Sequence, residues 1–265
     1  MTQKNSDSQS TLVTLKDEDW LHKQKLAGYA LVHAMKECVH TIEDKHPNLT
    51  LKDLEAIAAH QLELHDCTPT FMGYRGFPGK ICVSVNEALV HGIPTDYKLQ
   101  DGDIVTVDLG STFEGVIADS AYTCVYGDPK DEHIPEMLDV CKGALKAAIA
   151  SIKVGESLGI IGHTIHNHVR NSGFGLITTY GGHGINLNEL HAAPFVCNRE
   201  QKNKGIRIQP GLSIAIEPML VLGKNVNTRI LPDKWTIVTK DIGCHFEHSV
   251  TLDKNGDVHT TTGWW

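Results

Sequence analysis

The chain has 265 residues and a formal charge of −8, so it can bury a sizeable core as one large domain or two small ones. Its 41% hydrophobic and 21% charged residues exclude a fully disordered or fibrous chain. The acidic balance argues against nonspecific nucleic-acid binding, and no apolar run approaches the ~18 residues of a membrane span. Seven scattered cysteines without a C-x-x-C motif, together with a polar N-terminus, predict a cytoplasmic protein.

Hydrophobic periodicity predicts four helices that form two consecutive pairs. The first pair covers residues 17–43 and 50–64, and the second covers residues 134–152 and 157–171. Residues 1–15 are expected to form a flexible lead-in. Because no Pro/Ser-rich linker divides the rest of the chain, we expect a single domain over residues 16–265.

Short apolar runs bounded by turn residues predict the strands. Residues 103–109 and 116–125 flank a glycine-bounded turn and predict a hairpin. Further strands are predicted in the following segments: 80–85, 193–197, 212–220, 235–239 and 243–252. The mixture of helices and strands defines an α+β protein.

The chain also reads as two diverged copies of one unit, about residues 17–127 and 133–262. Each copy has a helix pair, a His-Gly-Ile tripeptide, and a glycine followed six residues later by an acid, Asp108 or Glu217. A later strand in each copy carries another acid, Asp119 or Glu247. This repetition predicts a pseudo-twofold fold in which the sheets of the two halves meet at a central site.

The repeated acids favour a metal site. Asp108 and Glu217 each end an otherwise apolar strand, where an uncompensated carboxylate is costly. A hairpin centred near residues 112–114 places Asp108 almost opposite Asp119, and a divalent cation resolves such repulsion. Pseudo-symmetry adds Glu217 and Glu247, with His183 nearby. Four carboxylates and one imidazole favour a pair of divalent ions over a structural zinc.

Each of these residues taken alone also has an ordinary structural explanation. Asp108 could be a strand-end turn residue, His183 a loop residue among glycines, and Glu247 part of an exposed edge strand. A zinc site using Cys244 and His245 is disfavoured because strand alternation turns these neighbours to opposite faces. The matching arrangement in both halves favours the metal site.

The motifs that carry these residues resemble those of the methionine aminopeptidases, which have a duplicated pita-bread fold with a central antiparallel sheet flanked by helices. The resemblance runs from about residue 17 to 262, and its most specific stretches are 73–78, 84–94, 101–108, 182–185, 216–219 and 247–248. The 34-residue spacing from His183 to Glu217 indicates the type I enzymes. The resemblance implies dinuclear-metal-dependent removal of N-terminal methionine.

Two alternatives remain. The related X-Pro aminopeptidases share the metal ligands but carry a large N-terminal domain, for which the 90 residues before His91 leave no room. A peptide-binding homologue without catalysis is expected to have lost at least one metal ligand, and all five residue types are present.

The resemblance implies a role for each matching polar residue. Asp119 and Glu247 would bridge two divalent ions. Asp108 would bind one ion, and His183 with Glu217 would bind the other. The residue types accept Co, Mn, Fe, Zn or Ni, so the sequence does not name the metal.

The resemblance also implies the residues that handle the substrate. Glu217 would shuttle a proton, His91 would contact the scissile amide, and His191 would polarise its carbonyl oxygen. The methionine pocket would be lined by Phe71, Tyr74, Phe77, Cys82, Leu190 and Trp235. The implied substrates are nascent chains whose second residue is small, encountered near the ribosome. The enzyme is expected to be a monomer that contacts neither a membrane nor a specific nucleic acid.

Three positions depart from the family pattern. Asn186 stands where glycine is usual, and Asn tolerates a left-handed backbone. His191 follows His183 by eight positions instead of seven, so the extra residue is expected either to bulge the loop or to move His191. Phe71 stands where a small or sulfur-containing residue is frequent, which would narrow the pocket.

Overall fold

The computed structural model describes residues 13–265, so residues 1–12 of the predicted lead-in lie outside the described residues. All four predicted helices are confirmed to within two residues at each end. They are α1 (Glu18–Glu43), α2 (Leu51–Glu63), α3 (Ile134–Ala150) and α4 (Gly159–Val169). The carboxylate of Asp17 caps α1 by accepting the N–H of Trp20, and Thr50 forms a reciprocal capping box with Asp53 on α2.

Fifteen short or medium strands connect these helices within the described residues. They are β1 (Thr68–Pro69), β2 (Cys82–Val85), β3 (Ala88–Val90), β4 (Asp103–Phe113), β5 (Val116–Tyr126), β6 (Gly175–Leu176), β7 (Gly181–Asn186), β8 (Glu189–Cys197), β9 (Ser213–Ile216), β10 (Met219–Val221), β11 (Arg229–Ile230), β12 (Ile237–Val238), β13 (Gly243–His245), β14 (His248–Leu252) and β15 (Val258–Thr260). All sheet pairings are antiparallel.

The strands form two larger sheets, one from each half of the chain, and two smaller ones. In the first half β4 pairs with β1, β2 and β5, and in the second half the order is β15-β14-β9-β7-β8. The helix α1 lies against β4 and β5, whereas α3 and α4 pack together and contact β10, β13 and β8. Each helix pair therefore covers the strands of its own half, and the main apolar core lies between these layers.

The predicted hairpin is confirmed as the pair β4 and β5. Its tight turn consists of Glu114 and Gly115, and both residues have positive φ. A two-residue turn needs this conformation to match the twist of antiparallel strands. Asp108 lies opposite Ala121 and Gly110 lies opposite Asp119, so the two acids are two register positions apart instead of directly opposite. With the two-residue period of a strand, Asp108 and Asp119 still share one face.

The strand β7 was missed by the sequence-based prediction because its sequence, Gly-Gly-His-Gly, has low strand propensity. The glycines allow the neighbouring strands to lie close to β7. A Cβ on Gly182 would lie 2.1 Å from the carbonyl oxygen of Ala215, and one on Gly184 would lie 2.0 Å from that of Ala193. Only glycine lets β7 lie this close to both neighbours with His183 between them.

Two predicted strands are each divided into two. The predicted strand 212–220 is β9 and β10, separated by Glu217 and Pro218. The predicted strand 243–252 is β13 and β14, separated by Phe246 and Glu247. Both interruptions fall at predicted metal ligands, where the chain leaves one sheet and enters another.

The two halves are joined along a seam between β5 and the junction of β13 with β14. Asp119 donates its N–H to Ser249 Oγ (2.8 Å), and the Ser249 hydroxyl donates back to the Asp119 carbonyl (2.9 Å). Ser120 Oγ donates to the Glu247 carbonyl (2.6 Å), and Glu247 donates its N–H to the Ala121 carbonyl (3.0 Å). This seam fixes Asp119 beside Glu247.

A buried glutamine of α1 also joins the halves. Gln24 is fully buried, and its amide nitrogen donates to the Ile117 carbonyl and to Ser213 Oγ, both at 3.0 Å. Its amide oxygen accepts from Thr251. We expect Gln24→Leu to lower the free energy of unfolding by about 1–3 kcal/mol, since leucine keeps the size but leaves buried polar groups unpaired. Urea unfolding monitored by circular dichroism measures this.

The matched control is Gln209→Leu, at an exposed glutamine outside the helices and strands. It should leave the unfolding midpoint almost unchanged. Equal effects of the two substitutions would show that Gln24 does not act through its buried hydrogen bonds.

Candidate metal centre and active site

The five predicted metal ligands converge where the two halves meet. Asp108 lies on β4, Asp119 on β5 and His183 on β7, whereas Glu217 and Glu247 occupy the interruptions after β9 and β13. The side chains of Asp119, His183 and Glu247 each offer one ligand atom, and these atoms all lie within 4.8 Å of one another. All three residues are buried.

His183 presents its Nε2 atom to three carboxylates. The distances are 3.6 Å to Asp119 Oδ2, 3.9 Å to Glu217 Oε1 and 3.9 Å to Glu247 Oε1. Its other ring nitrogen, Nδ1, lies 3.0 Å from the carbonyl oxygen of Gly184. Since that carbonyl can only accept, Nδ1 carries the proton in the neutral ring and the Nε2 lone pair faces the carboxylates. This is the tautomer that a histidine uses to bind a metal ion.

The carboxylates perturb one another because they are buried together. Burial, followed by the charges of Asp119 and Glu217, raises the pKa of Asp108 well above its usual range. The pKa of Glu247 is likewise raised by burial and by the neighbouring carboxylates. Burial raises the pKa of Glu217 to about 7, although His183 opposes the shift. The site therefore holds more negative charge than the protein alone neutralises.

Several buried polar atoms of this cluster also have no hydrogen-bond partner. They are Asp119 Oδ1, Glu247 Oε1 and both ring nitrogens of His245. Buried polar groups are nearly always paired, so unpaired ones indicate a missing water or ion. Carboxylate oxygens with an imidazole nitrogen form a donor set suited to divalent transition metals. The residues present thus fit a divalent metal site.

One cavity is lined by every residue that the sequence singled out for metal, substrate or catalysis. Its apolar wall is formed mainly by aromatic side chains, with Phe77 and Trp235 in edge-to-face contact at 5.2 Å. Phe71 is buried against Gly110, where a Cβ would lie 2.8 Å from its ring. Arg75 and Val90 also line the cavity, although the sequence-based analysis did not include them.

Two further histidines border the carboxylates. His91 lies in a left-handed backbone conformation (φ 59°), and burial lowers the pKa of its ring. The ring of His191 stands edge-on to that of His183 at 4.5 Å, and its backbone N–H donates to the Tyr74 hydroxyl. The structure therefore brings both residues to the predicted metal centre.

The pairing of β7 with β8 shifts register between Gly184 and Asn186, within the segment that carries the extra residue between His183 and His191. Asn186 does not use a left-handed conformation, and it is Asn188 in the following turn that has positive φ. The Asn186 side chain instead accepts from Lys16 and donates to Glu189 (3.0 Å). Asparagine at this position thus makes polar contacts with Lys16 and Glu189.

Two residues at the centre were missed or set aside by the sequence-based analysis. His245 was weighed only as a zinc partner of Cys244, and the expectation that the two face opposite ways is confirmed, because Cys244 lies in the core. In the predicted strand 243–252, His245 lies two residues before Glu247, so strand alternation places both side chains on one face. This spacing is the signal that indicates His245 as a neighbour of the metal centre. Asn198 is buried and donates to the Glu217 carbonyl (3.0 Å), and no local pattern indicates this contact.

The fold and the cluster of metal-binding side chains together define a class of protein. Comparison with known families identifies that class. The chain belongs to metallopeptidase family M24, whose sequence model matches residues 23–254. Membership confirms the expectation of a metal-dependent peptidase built on the pita-bread fold.

Within the family, several of the similar proteins are methionine aminopeptidases. The methionine aminopeptidase of Mycoplasma capricolum is 38% identical over 92% of this chain and 96% of its own length. The crystal structure of the Thermotoga maritima methionine aminopeptidase is 34% identical and has a TM-score of 0.89, covering 96% of this chain and 100% of that one. These similarities confirm the resemblance read from the motifs and place the chain among the methionine aminopeptidases.

The X-Pro peptidases share the fold but match less well. The X-Pro aminopeptidase structure from Thermotoga maritima is 20% identical with a TM-score of 0.70, and the match covers 98% of this chain but only 65% of that one. This likeness shows the fold alone. Separately, none of the helices between residues 13 and 265 has the length and apolar content of a membrane span.

The carboxylate pKa values predict a pH-dependent metal affinity. Because the pKa of Glu217 is raised to about 7, this group is largely protonated below pH 7, and a cation must displace its proton. The raised pKa values of Asp108 and Glu247 act in the same direction. We expect Mn(II) affinity of the stripped protein to rise with pH through about 7, with proton release measurable by calorimetry in two buffers.

The control is Glu217→Gln, which should bind more weakly and depend less on pH. An affinity that is constant from pH 5.5 to 8 would contradict the assignment of these carboxylates as ligands.

Proposed function

We propose that this metallopeptidase removes N-terminal methionine from nascent proteins whose second residue is small, using two divalent ions. Asp119 and Glu247 would bridge the ions, Asp108 would hold one, and His183 with Glu217 the other. Bound divalent cations would polarise a carbonyl group and lower the pKa of water. The observation that carries the proposal is one cavity in which a cluster of buried acids adjoins an aromatic apolar wall.

The protein's own residues suit the steps of amide hydrolysis. Glu217, with a pKa of about 7, can take up and release a proton near neutral pH, which a proton shuttle requires. His191 stands at the cavity rim, where its ring can donate to the carbonyl oxygen of the scissile bond. His91 lines the same cavity and can contact the amide nitrogen of the same bond.

The apolar wall favours a methionine side chain. Aromatic rings and the Cys82 side chain surround the space, and Cys82 is opposite Asp108 across the β2–β4 ladder. A flexible, unbranched thioether makes favourable contacts with aromatic ring edges. This register sets the apolar space beside the acids, so that a side chain in the space would bring its own peptide bond to the metal ligands.

The setting of the reaction is part of the proposal. Newly made chains carry the N-terminal methionine, so the enzyme would act in the cytoplasm near the ribosome exit and, we propose, as a monomer. An X-Pro aminopeptidase of the same fold is the second candidate. The shared fold supports it, but the X-Pro aminopeptidase structure is 20% identical to this chain, against 34% for the methionine aminopeptidase structure.

The first test compares two peptides, Met-Ala-Ser and Ala-Pro-Ala, with protein stripped of metal and then resupplied with Co(II) or Mn(II). We expect metal-dependent release of methionine from the first peptide and no cleavage of the second, as measured by chromatography of the free amino acids. Cleavage of the proline peptide alone would move the protein to the X-Pro peptidases. If the metal-bound protein cleaves neither peptide, the result would support a peptide-binding homologue.

A substitution tests the ligand role of Asp108. Asp108→Asn keeps the size of the side chain and removes one charge from the buried cluster. We expect loss of metal-dependent methionine release, together with an equal or higher melting temperature of the metal-free protein, because repulsion among the carboxylates falls. Peptide assays and calorimetric unfolding measure the two effects.

The control for Asp108→Asn is Asp139→Asn, at an exposed acid on α3. It should leave activity and melting temperature unchanged. Full activity of Asp108→Asn, or wild-type turnover in metal-free buffer, would refute the two-ion arrangement.

A further inference from the structure

His245 is a buried imidazole that none of the proposed catalytic steps uses. Its side chain is 2% exposed and lines the cavity that holds the carboxylates. Neither ring nitrogen has a hydrogen-bond partner, although both are buried. Buried polar groups are nearly always hydrogen-bonded, so a ring unpaired at both nitrogens in this cavity calls for an explanation.

The surroundings of His245 Nε2 are two carboxylates. Glu217 Oε2 lies 3.5 Å away and Glu247 Oε2 lies 3.8 Å away. The opposite oxygens of the same carboxylates, both named Oε1, face His183 at 3.9 Å. Each glutamate is therefore held between two imidazoles, one at each of its oxygens.

The two imidazoles differ in the position of the proton. At His183 the Gly184 carbonyl binds the proton on Nδ1 and leaves a lone pair at Nε2, which suits a metal ligand. At His245 no acceptor faces Nδ1, while Nε2 faces carboxylate oxygens that can only accept. The proton of His245 is therefore best placed on Nε2, where a lone pair would be repelled.

The backbone of His245 is fixed independently of the ring. Its N–H donates to Thr123 Oγ1 (2.9 Å) and its carbonyl accepts from the same hydroxyl (2.8 Å). These bonds belong to the seam between the halves, so the ring is anchored on the same frame as Asp119 and Glu247. The distance of 3.5 Å between His245 Nε2 and Glu217 Oε2 is a few tenths of an ångström longer than a normal hydrogen bond of ~2.7–3.2 Å.

We propose that His245 is a positioning residue of the metal centre, whose Nε2–H donates to Glu217 Oε2. This bond turns the other oxygen, Oε1, toward His183 and the ion that the two residues would share. It also gives the second oxygen of Glu217 a partner, which a carboxylate bound through one oxygen needs. The inference rests on the proposed function, because it assigns His245 to the same metal site.

The substitutions that test this differ in where they place a donor. In His245→Gln the amide nitrogen can occupy the place of Nε2, whereas in His245→Asn it can occupy only the place of Nδ1. His245→Leu places no donor. The measurements are the Co(II) and Mn(II) affinities of stripped protein by calorimetry, the visible absorption of the Co(II) form, and the melting temperature without metal.

We expect His245→Leu and His245→Asn to weaken metal binding by ~10–100-fold, the usual effect of losing an outer partner of a ligand. His245→Gln should retain nearly the wild-type affinity, and the Co(II)-saturated spectra should all resemble that of wild type. The matched control is His259→Gln, which changes a half-buried histidine on β15 whose ring faces Asp253 (3.1 Å) and should leave the affinity unchanged.

Two results would overturn the proposal. If His245→Gln binds as weakly as His245→Leu and shifts the Co(II) bands, His245 is itself a metal ligand. If His245→Leu binds metal as wild type does, His245 has no part in the centre. Neither result depends on the peptide assay, so a wild-type protein that binds metal without releasing methionine would refute the proposed function separately.

Discussion

The seam between β5 and the β13–β14 junction is the constraint on which the rest of the site depends. Its reciprocal hydrogen bonds pair Asp119 with Ser249 and the Ser120–Ala121 segment with Glu247, so acids that are 128 positions apart in sequence are held side by side. Burial, together with the neighbouring carboxylates, raises the pKa values of Asp108 and Glu247, so gathering these acids opposes folding. The hydrogen bonds of the seam and the apolar core hold the acids in place for a cation.

The backbone around the centre departs from regular strand structure at two of the five proposed metal ligands. Glu217 and Glu247 lie at the points where strands break, and Pro218 directly after Glu217 cannot donate to a sheet ladder. His183 lies in a strand whose glycines allow neighbouring backbones to approach. A side chain in a regular, fully paired strand points to one sheet face, whereas a break lets it reach the space between two sheets.

The fold alone does not decide the substrate. The X-Pro aminopeptidase structure from Thermotoga maritima shares it, and so does the methionine aminopeptidase structure from the same organism. What varies within one fold is the wall of the cavity. In this chain Phe71, Phe77 and Trp235 form it, with Phe71 and Phe77 on one short segment and Trp235 packed edge-to-face on Phe77.

The sequence by itself determined the four helices, the β4–β5 hairpin, the family and the cluster of acids, because periodicity, turn residues and motif spacing are local signals. Only the tertiary structure decided the strand breaks at Glu217 and Glu247, the strand β7, and the partners of the side chains. It alone showed that His245 faces Glu217 and that Asn198 holds the Glu217 backbone. Those contacts join segments far apart in the chain, and their geometry is set by how two sheets pack, which no local pattern of residues records.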